Sequence, residues 1–241
     1  MFNGGRNRPG GRISVRTAVV VAGAGAILAT AFTAGPAWAK AANQSSTVGA
    51  YYSLTPTHGV ASASTTFVVP TATCTANVTE GQDLGIIDAW SNSGTDEMAV
   101  VTETCNGGTT PTYQFIVQAN STTFTENGVS PGDTVVASFF QTPGYNEARV
   151  HDLTSGYTWV ADDNGSAATS VAIGSYAATV NGNLTLNTPF GTVPFTKTQV
   201  NGEYLGDTGA GAFNWTFGKS ILVRTGPIKG GDSFKLTSVG Q

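Results

Sequence analysis

Charge is scarce in this chain: Asp, Glu, Lys and Arg together make up 11% of its 241 residues. Histidine occurs twice, as His58 and His151, and cysteine twice, as Cys74 and Cys105. These shortages exclude several kinds of chemistry. A serine triad needs a histidine held between a nucleophile and a carboxylate. His58 falls in the turn-like Pro56-Thr57-His58-Gly59, and His151-Asp152 lies on a candidate strand, where neighbouring side chains point to opposite faces. No Gly-x-Ser-x-Gly elbow accompanies either. Two cysteines and two distant histidines make a poor structural zinc set. Asp162-Asp163-Asn164-Gly165 reads as turn chemistry before it reads as a calcium loop. Glycine-rich phosphate loops opening a helix are missing. Neither a metal nor a cofactor is expected.

Beyond residue 39 no apolar run approaches the roughly 20 residues of a membrane span. The first 39 residues have a different character. Arg6, Arg8, Arg12 and Arg16 form a basic start, Ala18 to Ala34 is apolar, and Ala37-Trp38-Ala39 supplies the small-x-small pattern of a cleavage site. The expectation is a signal peptide over 1–39, cleaved near Ala39, and a secreted, extracellular product. The remaining 202 residues (241 − 39) hold seven Lys+Arg against fifteen Asp+Glu, a balance near −8. That sign repels nucleic acid and anionic lipid, so neither is an expected partner. In an oxidising compartment Cys74 and Cys105 pair most simply with each other. The closed loop of about thirty residues contributes roughly 3–4 kcal/mol, less any strain.

What is plentiful is Thr, Ser, Gly, Val and Asn, arranged as short apolar or alternating runs between turns. No sustained 3.6-residue period follows Lys40. Strands are expected at 60–69, 84–90, 98–103, 113–118, 134–140, 147–153, 157–161, 170–180, 192–197, 211–217, 220–224 and 233–239. Ser130-Pro131-Gly132-Asp133, Pro143-Gly144-Tyr145-Asn146 and Gly230-Gly231-Asp232 are among the separating turns. The fold class is therefore all-β and antiparallel, closed or double-sheeted, in one domain over 50–241 after a loose arm at 40–49. Trp90, Trp159 and Trp215 fit either core or groove. With triads excluded, hydrolytic chemistry would rest on carboxylates and amides, and Asp88, Glu103, Gln118, Glu147 and Asp152 fall on expected strands.

Several segments, in order, resemble the secreted acid endopeptidases called glutamic peptidases or eqolisins. Thr65-Thr66-Phe67-Val68-Val69-Pro70 is similar to the family's first core strand, and Leu84-Gly85-Ile86-Ile87-Asp88 to its Trp-Val-Gly-Ile-Asp strand. Thr102-Glu103-Thr104-Cys105 is similar to the strand that follows. Pro131-Gly132-Asp133-Thr134-Val135 is close to its Pro-Gly-Asp turn, and Phe190-Gly191-Thr192-Val193-Pro194-Phe195-Thr196 resembles its Phe-Gly-Thr-Val-x-Phe-Thr strand. The resemblance spans about residues 50–241. It implies a two-sheet, concanavalin A-like jelly-roll β-sandwich, in which a glutamine and a glutamate face each other across a concave sheet. The glutamate would serve as general base and then acid, and the glutamine amide would polarise the attacked carbonyl.

Neither residue stands where the resemblance places it. Counting back from Cys105 puts the glutamine position on Ala99, or on Met98 or Val100 with a one-residue shift, and the glutamate position falls on Thr179. Tyr176 and Leu84 stand for two cleft tryptophans, and Asp88 is the polar cleft position that matches. No glutamate occurs between Asp163 and Asn201. Three readings follow. One is a monomeric sandwich without peptidase activity that binds a peptide or glycan in a groove lined by Leu84, Asp88, Trp90, Gln118 and Tyr176. Another is an acid hydrolase with relocated carboxylates, Asp88 with Glu103 or Gln118. The third is a carbohydrate-binding or cell-wall-associated module.

Overall fold

The computed structural model describes residues 44–91, 96–120, 122–180, 183–184 and 189–239, with the side chains of 179–180 and 183–184 outside that description. The signal peptide expected at 1–39 lies outside the described residues. Strands account for nearly all of the regular structure. They are β1 Gln44–Ser46, β2 Gly49–Leu54, β3 Ser62–Val68, β4 Thr79–Trp90, β5 Asp96–Asn106, β6 Thr112–Ala119, β7 Thr122–Asn127, β8 Thr134–Thr142 and β9 Tyr145–Asp152. The second half gives β10 Thr158–Asp163, β11 Ser170–Ala177, β12 Thr179–Val180, β13 Asn183–Leu184, β14 Thr192–Val200, β15 Glu203–Tyr204, β16 Gly211–Phe217, β17 Ser220–Thr225 and β18 Phe234–Ser238. A single 3₁₀ turn among the described residues, Leu205–Asp207, interrupts them.

Hydrogen bonding runs without a break along the order β10-β9-β8-β3-β14-β18-β17-β16-β2-β11-β4-β5-β6-β7. The ribbon folds back on itself, so that β5 and β6 pack on β9, β6 also packs on β10, and β4 packs on β3 and β8. The result is a two-layer β-sandwich whose layers share one continuous sheet. All pairings in that path are antiparallel; β1 alone lies parallel, against β16. The segment expected as a loose arm thus includes β1, paired from Gln44 to Ser46, and the start of β2 at Gly49.

The core between the layers follows from alternation. In β6 the burial pattern strictly alternates, Tyr113, Phe115, Val117 and Ala119 pointing inward. From the opposite layer Phe67, Phe195 and Phe234 form a stacked row, with ring centroids 5.6 and 4.7 Å apart. Tyr52 meets Phe234 edge-on at 4.9 Å and donates its hydroxyl to the Gly226 carbonyl, so its polar end is satisfied inside the core. Cys74 and Cys105 form the expected disulfide, with Cα atoms 5.5 Å apart, tying the segment before β4 to the end of β5.

One irregularity governs which side chains reach the outer surface. Between Leu84 and Ile87 strand β4 carries an extra residue relative to β5, a bulge at Gly85, whose φ is +64°. A side chain there would collide with the Phe67 ring, which fills the space above the bulge. The position needs glycine for both conformation and room. We expect Gly85→Ala to cost about 2–3 kcal/mol, read as a lower urea midpoint at unchanged m-value; an unaltered midpoint would show the bulge to be permissive.

Candidate functional site

The bulge brings Asp83 and Asp88 to one face. Five residues apart on a regular strand, they would point in opposite directions. The extra residue instead leaves Leu84, Ile87 and Ala89 in the core and turns Asp83, Ile86, Asp88 and Trp90 to the outward face. Opposite Asp88 on β5 stands Met98, and opposite Met98 on β6 stands Gln118. On the other side Asp88 is registered with Ala172 of β11, and Ile86 with Gly174. Ile86, Val100 and Ala172 point away from the core yet are fully buried, so they form a small-residue and aliphatic floor beneath the outward surface.

Aromatic rings border this floor. Tyr51 of β2 stacks on Phe213 of β16 at 5.0 Å and meets Tyr176 of β11 edge-on at 5.2 Å. Tyr51 is itself buried between the two, which leaves Tyr176 and Phe213 as the partly exposed members. Gly174 makes this arrangement possible, since a Cβ there would come within 2.6 Å of the Tyr51 Cα.

The electrostatics of the face are unusual. The Asp88 carboxyl is raised to about 7, first by burial and then by the charge of Asp96, with the nearby Tyr176 hydroxyl pulling the other way. Burial likewise lifts Asp83 to about 7, against a 2.6 Å hydrogen bond donated by Thr102. The Tyr176 hydroxyl is buried beside Asp88, and burial first and that carboxylate second drive it well above its ordinary range. Gln118 accepts a hydrogen bond of 3.3 Å from Thr123 on β7.

The remaining candidates lie elsewhere. Ala99 points into the core, between Ile87 and Val117, so the outward positions of β5 are Met98 and Val100. Leu84 belongs to the core for the same alternation, set by the bulge, and does not line the face. Glu103 is fully buried on the inward side, beside Gln82 and Tyr113, and is not brought together with Asp88. Thr179 starts the short β12, and its side chain lies outside the described residues. Trp90 is partly buried on the outward face, whereas Trp159 stacks on Phe115 at 4.2 Å against the core and Trp215 is buried within it. Glu147 pairs with Arg149, and Asp152 caps its own turn through Thr154 and Ser155. His151 is held by Thr158 on the neighbouring strand β10. Among the described residues no group of three or more His, Cys, Asp or Glu is placed to hold a metal ion.

Sequence reasoning missed Tyr51, Asp83, Asp96 and Phe213. The doublet Tyr51-Tyr52 has no alternation to mark a strand, and the bulge that unites Asp83 with Asp88 is signalled by Gly85 alone.

No protein-family model and no curated protein sequence matches the chain. Solved structures do. Scytalido-glutamic peptidase with a transition state analog inhibitor superposes with a TM-score of 0.66 at 15% identity, over 80% of this chain and 98% of that one. A second structure of that peptidase, with a peptide-based transition state analog, gives 0.65 at 16% identity over the same shares. SCP-B, a member of the eqolisin family of peptidases in a complex with the tripeptide Ala-Ile-His, gives 0.62 at 15%, again over 80% and 98%. At this identity the likeness is one of fold: the chain is a distant, eqolisin-like β-sandwich.

Proposed function

We propose that this chain is an exported protein that holds an extended polypeptide on the outward face of the layer β16-β2-β11-β4-β5-β6-β7 and does not cut it. One observation carries the reading. The outward positions flanking Asp88 are Met98, Val100, Ala172 and Gly174, whose side chains neither titrate nor donate a hydrogen bond, while the rings of Tyr176 and Phe213 border the same face. A face so built retains contact surface. Among the described residues, neither strand neighbour of Asp88 carries the carboxylate or amide that would face it and supply about 10²–10⁴-fold and 10²–10³-fold in rate. The disulfide supports export, since such bonds persist in oxidising compartments. The peptide and peptide-analog complexes of proteins with this fold support a polypeptide ligand.

A second reading draws on Asp88 and Gln118, a carboxyl and an amide on one face. They stand two strands apart, roughly 9–10 Å between backbones, with Met98 between them and the Gln118 carbonyl engaged by Thr123. A general base and an oxyanion donor must both lie about 3 Å from one reacting centre, so this spacing favours holding over hydrolysis.

The test is equilibrium binding of fluorescently labelled casein peptides to the mature protein. Saturable binding is expected, weakened about tenfold by Tyr176→Ala or by Phe213→Ala. Undiminished binding in both variants would move the site elsewhere.

A further inference from the structure

Among the described residues positive charge is segregated. The seven strands of the layer just described contain no Lys, Arg or His, while β4 and β5 alone carry Glu80, Asp83, Asp88, Asp96, Glu97 and Glu103. The described lysines and arginines lie on β9, β14, β17 and β18 or in the turns beside β17. Three of the carboxyls, Asp83, Asp88 and Asp96, belong to the outward face, and Asp88 and Asp96 are near enough to repel each other. Like charges held together on a half-buried surface are relieved by an incoming cation. The Tyr176 ring stands beside them, its buried hydroxyl close to Asp88. Aromatic faces next to carboxylates attract ammonium and guanidinium groups by their quadrupole as well as by charge. Nothing on these strands would compensate an acidic ligand.

Resting on the reading that this face holds a polypeptide, we propose that the bound segment is basic. A Lys or Arg side chain of the ligand seats against Asp88 and Asp96 with its stem along the Tyr176 ring. The carboxylates supply charge complementarity, and the partly exposed Met98, which stands opposite Asp88, accepts the aliphatic stem.

The experiment uses three labelled ten-residue Gly/Ser/Ala peptides, with Arg-Arg, Gln-Gln or Glu-Glu at the centre. Anisotropy is measured with the mature protein at pH 8, where Asp88 is ionised, and at low salt, circular dichroism confirming the fold. The Arg-Arg peptide should bind at least tenfold more tightly than the Gln-Gln peptide, and the Glu-Glu peptide more weakly than either. Asp88→Asn and Asp96→Asn should each remove most of that preference. Glu203→Gln, which deletes an equal charge from the exposed β15, should leave it intact. Equal binding of the Arg-Arg and Gln-Gln peptides would overturn the preference and leave polypeptide holding standing. Failure of all three peptides together with the casein peptides would sink the underlying reading itself. A loss in Glu203→Gln equal to that in Asp88→Asn would reduce the effect to net charge and overturn the site.

Discussion

The melting temperature should be highest in acid and fall by about 10 °C as pH is raised from 4 to 8. Three carboxyls produce this. Asp83, Asp88 and Glu97 are each lifted by burial to about 7, from ordinary values of 3.8 for Asp and 4.5 for Glu. Glu97 is the most enclosed, sitting between the layers with Asn146 donating to its Oε1 at 3.1 Å. The neighbouring charges of Asp163 and Asp96 contribute to that rise. Because each folded-state value exceeds the unfolded one, the folded chain binds more protons between about pH 4 and 7. Stability is therefore fully present below about pH 4, is lost as pH rises through about 7, and is level beyond. Each tenfold difference in proton affinity between the folded and unfolded chain is worth about 1.4 kcal/mol. Discounting Asp83 and Asp88, which keep some solvent contact, the three together amount to a loss on the order of 4 kcal/mol. A domain of this size moves about 2–4 °C per kcal/mol. Glu97→Gln mimics the protonated acid, so it should raise stability at pH 8 and flatten the profile. A melting temperature that holds steady or climbs from pH 4 to 8 would refute this role for the buried carboxyls.

Removing the disulfide should cost about 3–4 kcal/mol. Cys74 and Cys105 are 31 residues apart, and opening that loop restores chain entropy chiefly to the unfolded state. The native contacts on either side do not depend on the bond. The Tyr113 hydroxyl accepts from the Ala72 amide at 2.9 Å, and Glu80 accepts from the Thr75 amide at 2.8 Å. The double variant Cys74→Ala/Cys105→Ala should therefore fold to the same structure with a lower urea midpoint. A stability within about 0.5 kcal/mol of the parent, the usual scatter for inert surface changes, would mean that the unfolded chain is already constrained there.

Much of the fold could be read from the residues because alternation and turn chemistry agree. Gly211–Phe217 is a strand at the expected bounds, and Ser130-Pro131-Gly132-Asp133 turns as expected, with the Asp133 amide bonded to the Ser130 carbonyl and Gly132 at a φ of +94°. Strand β2 escaped because Gly49 to Tyr52 is buried on both faces and so carries no period of two. The candidate site was legible only in part. Asp88, Gln118, Trp90 and Tyr176 do share a face. Ala99, counted back from Cys105, and Glu103, taken for its place on an expected strand, do not, because neither route fixes direction, and in a strand a single residue decides between core and surface. Leu84 was misplaced by the same one-residue logic, acting through the Gly85 bulge.

Whether the face holds polypeptide without hydrolysing it is tested most directly by digestion. Purified mature protein is incubated with heat-denatured casein between pH 2 and 5, and the mixture is analysed by mass spectrometry for new termini. Casein should be recovered intact at every pH. New termini that vanish in the Asp88→Asn variant would contradict the proposed function and establish Asp88 as a catalytic carboxyl.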